Sequence, residues 1–148
     1  MNLEEMLPDA KAFAEKVALK EAEEASRKMR ELEAADAEKQ AWVDSMRKPS
    51  GVSDEEAIRR AIDIIQRAVS NGLTSVQVYR FPNALCTDRG RAINQGEPDW
   101  PQTLTGVPKE IFQLWDRHFK AKGYRLSAQI VDFPGGVPGD VGLTLAWG

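Results

Sequence analysis

One cysteine, Cys86, and one histidine, His118, are all that the 148 residues hold of either type. A lone cysteine excludes an internal disulfide, and the pair excludes the common zinc sites, which need several Cys and His ligands. No run approaches the ~18 apolar residues of a membrane-spanning helix. The first residues, MNLEEMLPDAK, are acidic where a secretory signal would be basic. The expectation is a cytoplasmic protein that makes no use of a membrane. A basic excess is also missing: 20 Lys and Arg stand against 23 Asp and Glu, for a pI near 5.3. Nonspecific nucleic-acid binding rests on counterion release by clustered basic residues, so nucleic acid is not the expected partner. There is no internal repeat, no low-complexity tract beyond a charged N-terminal third, and no motif of a nameable family.

What is present has the composition of a folded chain, 42% hydrophobic and 29% charged. The charge is uneven. Residues 1–48 carry nine basic and twelve acidic side chains, whereas residues 49–148 balance at eleven of each. No glycine precedes Gly51, and no proline lies between Pro8 and Pro49, while Ala, Glu, Lys, Arg, Met and Leu dominate. These are the strongest helix formers. The pattern predicts one helix from Pro8 to Lys48, about 60 Å long if unbroken, stopped at Pro49-Ser50-Gly51. Its apolar residues form a narrow stripe. Leu3, Met6, Ala10, Phe13 and Val17 set one phase; Ala18, Ala22, Ala25, Met29, Leu32, Val43 and Met46 continue it shifted by one residue, with Asp36 and Lys39 interrupting. So narrow a seam suits pairing with another helix, and self-association is the expected role of this arm, set against a solvated single helix or docking to another protein.

Residues 49–52 read as a linker and residues 53–148 as an α+β head of one modest core. Ser53 and Glu56 form a capping box, and Ala57, Ile58, Ala61, Ile62, Ile65, Ala68 and Val69 recur at helical spacing to Asn71-Gly72. Thr74–Phe81 alternates as a strand, stopped by Pro82. A second helix is expected over Val107–Lys122, with Ile111, Phe112, Trp115 and Phe119 on its apolar face. Two more strands follow, Tyr124–Phe133 and Val141–Trp147, joined in a hairpin by PGGVPGD. A strand, crossover helix and strand normally lie parallel, which predicts a two-layer α/β sandwich on a three-stranded mixed sheet. Gln77, Tyr79, Phe81, Arg125, Ser127, Gln129 and Val131 should point to its second face, leaving it open, covered by the arm or covered by a second subunit.

Ligands tend to bind beyond the carboxyl ends of strands in open α/β sheets, and the longest connection, residues 82–106, follows such an end. A short helix is expected inside it, begun by Thr87 or Asp88 and ended by Gly96. Asp88, Arg89, Arg91, Asp99 and Trp100 are the candidate binding residues, with the two arginines able to hold a carboxylate or phosphate bidentately. The competing structural reading pairs Arg89 or Arg91 with Asp88, Glu97 or Asp99 to pin the loop, and makes Trp100 a lid on the core. Cys86 with His118 is the only nucleophile and base combination, and Cys86 beside apolar Leu85 lacks the cation that a reactive thiolate needs. Glu97 and Asp99 are a weak pair for hydrolysis or Mg²⁺. PGGVPGD is followed by a strand, not by the helix of a phosphate loop.

No catalytic residue, metal or cofactor is therefore assigned. The expected function is a non-enzymatic interaction or ligand-binding module that self-associates through its arm and takes an unidentified protein or a small acidic ligand. A small enzyme working in the 82–106 loop is the alternative, as is a weak RNA binder using Tyr79, Phe81, Arg80 and Arg125 on an open sheet face.

Overall fold

A computed structural model describes residues 2–148. The protein is α+β, with a long N-terminal helix and a three-stranded sheet covered by helices. The chain divides into two units, one running to Ala41 and the other from Trp42 to Gly148.

The first unit is helical. A short helix, α1 (Leu3–Met6), is capped by the Asn2 side chain, which accepts from the Glu4 amide at 3.2 Å. Helix α2 (Ala10–Arg47) follows as an uninterrupted run, beginning just after Pro8. Every described side chain up to Trp42 is exposed. Alanine-rich propensity, not burial, holds this stretch.

The second unit starts before the linker, where the sequence reading places the head at Ser53. The last residues of α2 belong to it: Val43 is 3% exposed and lies in the core, Met46 packs beside it, and Arg47 donates to the Ala84 carbonyl at 3.1 Å. Gly106 meets this end of α2 so closely that a Cβ there would overlap the Met46 carbonyl oxygen, and its φ of 61° also suits glycine alone.

Helix α3 (Asp54–Ser70) begins as its capping box predicts, the Ser53 hydroxyl accepting from the Glu56 amide at 3.2 Å. It ends in a Schellman turn: the Leu73 amide donates to Ala68 at 2.9 Å and the Gly72 amide to Val69 at 2.9 Å. Strand β1 (Ser75–Phe81) leads into the 82–106 connection, which contains helix α4 (Arg91–Asn94). Helix α5 (Gly106–Leu114) runs on through a π-helical turn, Trp115–Phe119, and a 3₁₀ turn, Lys120–Lys122, to Gly123. Strands β2 (Arg125–Ile130) and β3 (Val141–Ala146) form the expected hairpin.

The sheet order is β1-β3-β2, and β3 is antiparallel to both neighbours. This corrects the expected mixed sheet. Strands β1 and β2 do run the same way, but they never pair, because β3 lies between them. β3 is the most thoroughly buried strand, with Val141 and Leu143 fully buried and Leu145 nearly so. The central place covers it from both sides. β1 and β2 carry exposed polar residues at alternate positions, as edge strands do.

A bulge in β1 makes the second correction. Gln77 faces Thr144, yet Tyr79 faces Leu143, so Val78 is an extra residue on β1. The extra residue reverses the alternation. Phe81 becomes fully buried and Tyr79 half-buried on the core side, where the sequence reading had both on the second face. Arg80 turns outward instead and binds Asp140 at 3.0 Å and Asp132 at 3.3 Å. The outer face thus presents Gln77, Arg80, Arg125, Ser127 and Gln129, all exposed. Without the two aromatics it offers no stacking platform for RNA bases.

Candidate functional site

Above the inner face, α3 and α5 diverge to leave a cleft of about 630 Å³. Its floor is Val78 and Tyr79 of β1, Leu126 of β2 and Leu145 of β3. One wall is Ala57, Ala61 and Ile64 of α3, and the other is Val107, Ile111 and Leu114 of α5, with residues 49–52 closing one side. Short alanine side chains, one helical turn apart and facing inward, leave the room. The volume falls within the range of small-molecule sites, and the lining is chiefly apolar with polar groups at the rim.

Those polar groups answer one another. Asp54, at the start of α3, receives Arg117 Nη2 at 3.1 Å on each carboxylate oxygen and has His118 Nε2 at 2.9 Å. Its pKa is held below the ordinary aspartate value, first by the His118 hydrogen bond and then by that of Arg117. This cluster joins the amino end of α3 to the turn that continues α5. Arg60 is paired with Glu56 at 3.3 Å, and Glu110 accepts from the Ser50 amide at 3.2 Å, tying the linker to the rim. The exception lies in the floor. The Tyr79 hydroxyl makes no hydrogen bond with any described residue, and burial, reinforced by the negative charge of Glu110, raises its pKa. Its hydroxyl therefore keeps its proton at neutral pH and can donate to an acceptor in the cleft.

The 82–106 connection is folded into the core. Cys86 and Leu104 form a short antiparallel bridge, flanked by Thr87 donating to Thr103 at 2.8 Å and Thr105 to Leu85 at 3.1 Å. Leu85, Cys86, Ala92, Ile93 and Leu104 are buried. Asp88 caps α4, accepting from the Gly90 amide at 3.0 Å and the Ala92 amide at 2.9 Å. A short helix exists, but it begins at Arg91 after an N-cap at Gly90 and ends at Asn94, later than the expected start at Thr87 or Asp88; the Asp88 carboxylate, ahead of it, serves the backbone. Arg89, at φ 56°, and Arg91 are both exposed, and neither forms an ion pair with a described residue. The arginine clamp of the structural reading is absent too. Trp100 packs edge-on against Phe112, 5.9 Å between ring centres. Asp99 lies on the rim of a second, smaller cleft with Lys109 and Phe112. Neither cleft is lined by Arg89 or Arg91, so the expected site residues are not brought together.

Cys86 and His118 are also apart in role. The thiol is buried and pushed up to about 11, chiefly by desolvation, whereas His118 faces Asp54 at the surface. Such a thiol is inert at neutral pH. Among the described residues, no three His, Cys, Asp or Glu side chains come together as metal ligands, and no helix is long and apolar enough to cross a membrane.

Compared with known families, curated proteins and solved structures, the chain matches no family model, no curated protein and no solved structure.

Proposed function

We propose that the head is a non-enzymatic binding module whose site is the cleft between α3 and α5, and that the arm is its self-association element, in a cytoplasmic setting. The observation that carries the head's role is an apolar cleft of about 630 Å³ in which Asp54 is paired with Arg117 and Arg60 with Glu56, Glu110 is hydrogen-bonded to the Ser50 amide, and one tyrosine hydroxyl is left to donate. An anionic ligand would have to displace Asp54 from Arg117. An uncharged, mainly apolar small molecule carrying one hydrogen-bond acceptor displaces nothing and gains burial of its surface. This reading moves the site away from Asp88, Arg89, Arg91, Asp99 and Trp100, and replaces a small acidic ligand by a neutral one.

The test is a fluorescence titration with Nile red, a neutral apolar dye bearing a carbonyl. Binding to the full chain should be abolished by Ala61→Phe, which fills the cleft, with the thermal transition retained. Replacing Arg89 and Arg91 by alanine should leave it unchanged. Binding that survives Ala61→Phe, or that depends on the two arginines, contradicts the reading.

A further inference from the structure

We infer that the arm pairs with the arm of a second copy of this chain in antiparallel orientation, with the two-fold axis passing close to Ala25. The inference rests on the arm's self-association proposed above and adds its geometry.

The sequence of charge is the first argument. Residues 11–20 carry a net charge of +2, residues 21–24 carry −3, residues 27–30 carry +3 and residues 31–40 carry −3. Turning a second copy end for end about Ala25 lays 21–24, at −3, over 26–29, at +2, and 11–20, at +2, over 30–39, at −2, so every block meets its opposite. In a parallel pair in register, each block meets itself, and Asp36 and Lys39 face their own copies on the seam, which is unfavourable. Alternating blocks also allow pairing within one helix, yet no ion pair forms between described residues anywhere from Lys11 to Lys39. These charges are available to a partner.

Apolar shape is the second argument. Met29 and Leu32 are 61% and 63% exposed, and the other seam residues in this stretch are alanines. The same antiparallel placement sets Leu32 opposite Ala18 and brings Met29 within one residue of Ala22, its nearest seam neighbour, large against small, with Ala25 facing Ala25 at the axis. Helices can then approach closely without a cavity.

Three single substitutions in the full chain, Ala18→Cys, Ala25→Cys and Leu32→Cys, test this with a short thiol cross-linker, after sedimentation has established the assembly state. The native Cys86 is buried and stays out of the reaction. Ala18 and Leu32 lie about 21 Å apart along a helix axis, beyond the linker. Ala25→Cys chains should link to themselves. Ala18→Cys and Leu32→Cys chains should link to each other about tenfold more than to themselves, since only partners held in one complex react at high effective concentration. A monomer in sedimentation overturns both the self-association and its geometry. An assembly in which all three variants link to themselves, and the mixture does not cross-link, keeps the self-association and overturns the antiparallel arrangement.

Discussion

Two leucines separate the two units of the molecule. Leu32 is 63% exposed on a helix that buries nothing before Val43, while Leu143 is fully buried in the central strand of the head. The same side chain contributes helix propensity in one place and burial in the other. The arm shows how far alanine-rich local preference alone carries a helix, and the head shows elements of modest length held by tertiary packing. Helix α3 has about half the length of α2, yet it is capped at both ends and buries Ile65 and Ala68.

The largest expected effect sharpens this contrast. Leu143→Ala should cost the head about 3–4 kcal/mol in denaturant unfolding, the range for a fully buried leucine, whereas Leu32→Ala should change the head's unfolding by less than ~0.5 kcal/mol. Equal costs would mean that the arm is covered within the chain. The next effect lies at the border between the units. Val43→Ala should cost about 2 kcal/mol, and a chain beginning at Gly51 should be less stable than one beginning at Glu33. If both truncated chains melt alike, the end of α2 plays no part in the head's core.

Much of the head is legible in the sequence because its signals are local. The capping box at Ser53, the Asn71-Gly72 stop and the alternation of Tyr124 to Ile130 each specify structure within a few residues. The sheet order was hidden because neighbours in the chain need not be neighbours in the sheet, and because the extra residue at Val78 inverts a face without altering composition. Loop length says nothing of packing. The 82–106 connection supplies core through Leu85, Ile93 and Leu104, which gives its length a structural reason. The cleft left only a faint trace: Ala57 and Ala61, read as part of a packed helix face, are too small to fill the space they face.

Smaller effects probe the cleft's rim. Asp54 has a lowered pKa in the folded chain, so its ion-pair contribution is fully present above the ordinary aspartate value of 3.8 and is lost as pH falls through the depressed value. Asp54→Asn should remove that acid-side loss. The difference in melting temperature between the native chain and the variant should be constant at neutral pH and shrink below about pH 4; a difference independent of pH throughout would show that His118 and Arg117 do not stabilise the charge. Ser53→Ala should cost about 1 kcal/mol from the lost cap of α3, measured by chemical unfolding.

The most direct measurement of where the head binds is an amide chemical-shift titration of the full chain with Nile red. The account expects the perturbed amides to cluster at Ala57, Ala61, Tyr79 and Ile111, around the cleft between α3 and α5. Perturbations centred instead on Asp88, Arg89 and Arg91, with the cleft unmoved, would contradict it.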